Sequence, residues 1–145
     1  MRRILIVSLL LCAPAFAAPL DEARELIDEG DYDEARAILE RTVKDTQLES
    51  RSLILLTRLS NQLEDYESGI PYGKRAVKLS PDSAEAHFNL GLLLAETGRM
   101  AEAADELRAS LDSDPSNASA ALLQARMPRS RGAAAPKPGI ALAMT

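Results

Sequence analysis

Tryptophan is missing from this chain, and aromatic residues make up 3% of its 145 positions. That leaves little material for a large aromatic pocket or for platforms on which nucleic-acid bases stack. A core of small and aliphatic side chains fits better. The lone cysteine, Cys12, stands near the N-terminus, so no intrachain disulfide is available. The lone histidine is His87, and any metal site would have to be mostly carboxylate, which suits hard cations rather than zinc. Asp112-Ser113-Asp114 resembles a calcium-loop fragment but lacks the glycine and the distal glutamate, and helix capping explains it better. No glycine-rich phosphate loop and no Gly-x-Ser-x-Gly elbow occur. No nucleophile–base pair stands out, so no enzyme activity, no metal and no cofactor are expected. Acidic residues outnumber basic ones, 22 to 17. Such a chain is a poor partner for nucleic acid, whose affinity comes from neutralised phosphates, and for an anionic membrane surface.

The first segment reads as an export signal. Met1-Arg2-Arg3 is a short basic head, Ile4 to Leu11 is apolar apart from Ser8, and Pro14 interrupts the run. Ala15-Phe16-Ala17 has the small-x-small spacing of a secretory cleavage site. Residues 1–17 are therefore read as a signal peptide cut after Ala17. A spanning helix needs about 20 apolar residues, and Pro14 leaves too few, so no membrane insertion is expected after cleavage. Leu11 before Cys12 does not suit lipid attachment. Loss of Arg2 and Arg3 moves the formal charge from −5 to −7, with 15 basic against 22 acidic side chains. The expected location is periplasmic or secreted.

What the chain does have is a period. Tyr32, Tyr66 and Met100 lie 34 residues apart, each in the same local setting. The clearest copy runs Ala84-Glu85-Ala86-His87-Phe88-Asn89-Leu90-Gly91, then Leu94, Gly98, Met100, Ala103, Leu107, Leu111 and Pro115. Thirty-four positions earlier stand Leu56, Thr57, Ser60, Glu64, Tyr66, Gly69, Gly73, Val77 and Pro81. One more step gives Ala23, Leu26, Gly30, Tyr32, Ala35, Leu39, Val43 and Gln47. A fixed period of this length marks a stack of helical hairpins, none of which buries its apolar face alone.

These residues resemble the tetratricopeptide repeat family over roughly residues 18–117. The resemblance implies an all-α, right-handed solenoid of three helix-turn-helix repeats, at about 18–49, 50–83 and 84–117. A capping helix is expected at 118–127 and a disordered tail at 128–145, where Arg129 to Pro138 is rich in Arg, Gly, Ala and Pro. Helices are expected near 20–29, 33–45, 50–63, 67–79, 84–97 and 100–112. Gly98 should stop one helix, and Pro81 and Pro115 should close units two and three. The second unit departs from the pattern. Gly73 stands where Leu39 and Leu107 pack, Pro71 falls early in the same helix, and Glu64 replaces a turn glycine. A leucine-sized gap there would cost about 2–5 kcal/mol. Tyr72 or Ile70 is expected to fill it in part.

The resemblance implies a concave groove, lined by the first helix of each unit, that receives a protein or peptide partner. By repeat position, the residues expected to bind that partner are Arg24, Arg51, Ile54, Arg58, Asn61, Phe88, Asn89 and Leu92. Asp28 and Glu85 share the face. Arg24 and Arg58 are equivalent, so they should form one row, suited to a segment with apolar side chains and an acidic group. The carboxylate clamp by which some family members hold chaperone C-termini would map to Leu20, Arg24, Leu55, Glu85 and Asn89. Of these only Arg24 carries the right charge, and Glu85 carries the wrong one. His87 faces the second helix of its own unit and reads as a packed residue. The function expected is a protein-binding adaptor or assembly factor in the bacterial envelope. The alternative is a self-associating protein whose repeats stack into a homo-oligomer.

Overall fold

The computed structural model describes residues 18–127; the expected signal peptide at 1–17 and the expected disordered tail at 128–145 lie outside the described residues. Among the described residues there are seven helices and no strand. They are α1 (Ala18–Glu29), α2 (Tyr32–Thr42), α3 (Glu49–Gln62), α4 (Tyr66–Leu79), α5 (Ala84–Glu96), α6 (Met100–Ser113) and α7 (Ala118–Arg126). Helices α1 and α2, α3 and α4, and α5 and α6 pack as hairpins, and each first helix also touches the next first helix. No helix among the described residues is long and apolar enough to cross a membrane.

The hairpin turns repeat at the bond level. The amides of Asp31, Asp65 and Arg99 donate to the carbonyls of Leu26, Ser60 and Leu94 at 2.8, 3.0 and 2.8 Å. Gly30 and Gly98 turn the chain at φ +92° and +78°, where glycine has no Cβ to clash. Glu64 holds the same position in the middle unit at φ +57°, a left-handed conformation that costs an L-residue roughly 1–2 kcal/mol. Side chains start the later helices: Ser83 accepts from the Ala86 amide and Asn117 from the Ala120 amide. Helix α2 ends at Thr42, earlier than expected, and the Thr42 hydroxyl turns back to the Ile38 and Leu39 carbonyls.

Small residues let the helices close on one another. Ala23, Ala35 and Ala103 are fully buried. A Cβ on Gly91 would stand 3.0 Å from Leu107 Cγ, and one on Gly69 would stand 2.5 Å from Ser60 Cβ. The core is continuous between units: Leu20, Ile27 and Leu39 pack with Leu55, Leu56 and Leu59 of the second hairpin. Each fully buried leucine contributes roughly 1.5–3 kcal/mol.

The gap expected beside Gly73 does not exist. A Cβ there would lie 3.0 Å from Leu90 Cδ1 and 3.1 Å from Thr57 Cγ2. Leu90 of the third unit and Thr57 of the partner helix occupy the volume. Tyr72 points outward at 38% exposure, and Ile70 packs in one buried cluster with Leu90. Helix α4 runs through Pro71 without a break.

Candidate functional site: the concave face of α1, α3 and α5

Two ion pairs cross the first helices. Arg58 on α3 binds Asp28 on α1, and Arg24 on α1 lies 3.9 Å from Glu85 on α5. Both arginines of the expected row thus already face carboxylates of neighbouring units. Arg51 also lies on this face, is exposed, and makes no ion pair among the described residues. A cleft of about 50 Å³ opens between Arg24, Arg51 and Glu85 over a floor of Leu20, Ile54 and Leu55. Ile54 thus reaches the groove only as its floor, packed at 8% exposure with Leu53, Ala76 and Ala86.

Toward the third unit the face becomes less charged. Phe88 and Leu92 are partly exposed. Asn61 Nδ2 donates to the Asn89 carbonyl at 3.3 Å, joining α3 to α5. Asn61 Oδ1 and Asn89 Nδ2 are both buried and lack a hydrogen-bond partner among the described residues. A buried polar atom without a partner costs roughly 1–3 kcal/mol, so this acceptor and this donor are a weak point of the α3–α5 contact. Asn89 itself is 6% exposed.

Four of the five carboxylate-clamp positions come together here, since Leu20, Arg24, Leu55 and Glu85 line the same cleft, while Asn89 does not line it. Their chemistry differs from a clamp, because Glu85 repels a carboxylate and engages Arg24. His87 lies off this face. Its Nε2–H donates to the Pro81 carbonyl at 2.8 Å, and Nδ1 faces Glu106 Oε2 at 2.7 Å. These bonds tie α5 to α6 and to the preceding loop. No cluster of three or more His, Cys, Asp or Glu that could hold a metal occurs among the described residues.

One further position of the period lies beyond the three-unit reading. Arg126 on α7 falls in the 34-step row of Arg24, Arg58 and Leu92. Continuing the period past Asn117 would have found it.

The fold and this face define a helical-hairpin repeat protein with an inner groove. The tetratricopeptide repeat family model matches residues 20–83 and 61–118, and the chain belongs to that family. Solved structures agree. An O-GlcNAc transferase mutant from Thermobaculum terrenum is 27% identical with a TM-score of 0.71, over 75% of this chain and 21% of that one. This chain spans about a fifth of the transferase. The Sgt2 domain of the family from Aspergillus fumigatus aligns at TM-score 0.74 and 14% identity, covering 91% of this chain and 92% of that one. The first such domain of Spaghetti (RPAP3), bound to the HSP90 peptide SRMEEVD, aligns at 0.70 and 15% identity, covering 76% and 87%. A comparison with curated proteins finds none that matches.

Proposed function

We propose that this protein is a non-enzymatic adaptor or assembly factor of the bacterial cell envelope that captures a segment of another protein in its concave groove. The observation that carries this reading is the set of unused groups on one face. Among the described residues Arg51 has no ion-pair partner, Asn61 Oδ1 and Asn89 Nδ2 lack hydrogen-bond partners, and Phe88 and Leu92 are partly exposed. An extended segment with aliphatic side chains and a carboxylate would meet Arg51 and cover Phe88 and Leu92, and a small shift of side chains would open the Asn61 and Asn89 amides to its backbone. A structural neighbour bound to a chaperone peptide supports peptide capture on this fold. The signal-like Met1–Ala17 segment supports the envelope location.

A photo-crosslinker at position 51 of the exported protein tests this in living cells. It should trap a discrete envelope protein. Arg58→Glu with Phe88→Ala should abolish the trap while far-UV circular dichroism stays unchanged. Capture that survives the double change overturns the groove assignment. A crosslinked product of twice the chain mass would assign the face to self-association instead.

A further inference from the structure

We propose that His87 and Glu106 form a proton-held clasp between α5 and α6, so that the third hairpin tightens as pH falls and loosens as pH rises. The His87 ring is 7% exposed, and both of its nitrogens face acceptors. Nε2 lies 2.8 Å from the Pro81 carbonyl, and Nδ1 lies 2.7 Å from Glu106 Oε2. A neutral imidazole has one N–H and one bare nitrogen. Donating to Pro81, it turns a lone pair on the carboxylate. Both contacts close only when one further proton sits between Nδ1 and Oε2. Free imidazole is a stronger base than a free carboxylate by about two pH units, so that proton rests on the ring. The clasp is then an imidazolium with a carboxylate on one side and a carbonyl on the other. Charge-assisted bonds of this kind are stronger than neutral ones.

The pair is an addition to the repeat. One period back, position 87 becomes Leu53, which is 1% exposed in the core. Position 106 becomes Tyr72 in the second unit and Ile38 in the first, and Ile38 is 5% exposed. The hairpin is therefore built with uncharged side chains at both places in the other units. In the third unit both places carry ionisable groups, and the two meet. Either one alone would leave a polar group buried without a partner.

No other charge competes for the ring among the described residues. Helices α3, α4 and α6 pack on α5. On α6, Glu102 is engaged by Arg99 and Lys74, and Asp105 by Arg108. On α4, Arg75 binds Glu49, and Lys78 forms no ion pair with His87 or Glu106. From α3, Arg58 binds Asp28 and Arg51 lines the concave cleft. Asp82 follows Pro81 in the loop and makes no hydrogen bond to the ring. Glu106 is the one charged group paired with His87.

Folding takes up this proton. A free histidine holds it only below about pH 6.5. The clasp's contribution is therefore whole below that pH and is lost as pH rises above it, because the folded chain binds a proton that the unfolded chain does not. The steepest dependence is about tenfold in the unfolding constant per pH unit. The clasp lies off the concave face, so it stands independently of segment capture in the groove.

Denaturant melts of the mature protein from about pH 5.5 to 8.5 test this, beside Glu106→Gln and His87→Leu. A glutamine amide can donate to the bare Nδ1 of a neutral ring, so Glu106→Gln closes the clasp without the extra proton. His87→Leu restores the side chain found at position 53. The parent's unfolding constant should rise by up to about tenfold per pH unit above pH 6.5, and both variants should flatten that rise. His87 is the lone histidine, so its ring nitrogen NMR signals are unambiguous, and they keep the test open if the variants fail to fold. At about pH 7 both ring nitrogens of the parent should carry protons. A bare ring nitrogen at that pH, or a parental slope retained by both variants, overturns the proposal.

Discussion

Arg24 on α1 and Glu85 on α5 meet at 3.9 Å across the concave face, so the first unit contacts the third over the second. Both side chains are close to half exposed. Pairs of this kind contribute about 0–1 kcal/mol to stability. Their larger effect is on selection: with Arg58 held by Asp28, the resting groove supplies its own carboxylates to its own arginines.

An incoming acidic segment therefore competes with Glu85. Glu85→Gln should raise the affinity for a fluorescein-labelled peptide of alternating glutamate and leucine by about 3–10-fold at low salt. That gain should shrink near 1 M salt, where the screening length falls to about 3 Å. The melting temperature should barely move. Fluorescence anisotropy at two salt concentrations measures both arms. An unchanged affinity would show that the groove arginines do not meet the ligand's charge.

Glu64 occupies a left-handed turn position that glycine fills in the other two units. Glu64→Gly should stabilise the protein by about 1 kcal/mol, the relieved strain outweighing the extra freedom of the unfolded chain. Denaturant melts of the variant and the parent give the difference directly. A loss of stability would mean that the Glu64 side chain holds the turn in a way its backbone angle does not reveal.

Gly69 and Gly73 separate two kinds of small residue. A Cβ at 69 would press 2.5 Å from Ser60 Cβ, on a partner helix that cannot easily yield. Gly69→Ala should cost roughly 1–3 kcal/mol despite the better helix propensity of alanine. At 73 the nearest atoms are Leu90 Cδ1 at 3.0 Å, Thr57 Cγ2 at 3.1 Å and Leu90 Cβ at 3.2 Å, which need to give by only a few tenths of an ångström. Gly73→Ala should lie within about 1 kcal/mol of neutral, and Gly73→Leu should be destabilising because the volume is already filled. A stabilising Gly73→Leu would restore the idea of a gap.

Glu102 should titrate low. The Arg99 guanidinium donates to both of its oxygens at 2.8 Å, and this bond, with the charges of Arg99 and Lys74, holds its carboxyl below the usual range. A depressed carboxylate adds stability above its unfolded value, about pH 4.3, and loses it as pH falls through the lower folded value. The site is exposed, so the effect on folding is small. The NMR titration midpoint of the Glu102 side chain should rise when Arg99 becomes Gln. An unshifted midpoint would mean that the pair does not persist in solution.

The hairpins were legible because their punctuation is local. Gly30, Gly98, Pro81 and Pro115 act on the backbone within a few residues, and helix boundaries followed to within one to three positions. The Gly73 expectation failed for a non-local reason. It counted a missing leucine at one position without knowing that Leu90, from the next unit, leans into the same volume. The groove positions were placed by period alone; Arg24, Arg51 and Ile54 line one cleft, and Asn61 bonds Asn89 between α3 and α5. Their chemistry was not legible, since spacing puts Arg24 and Arg58 in a row without naming the carboxylates that meet them.

Sequence by itself determined the repeat, its phase and the family, because a 34-residue period of small, aliphatic and turn residues permits only stacked helical hairpins. Tertiary structure alone decided which charges are already engaged and, among the described residues, which amides lack partners. Those are properties of distance between units, and side chains from different hairpins meet only once the stack has formed.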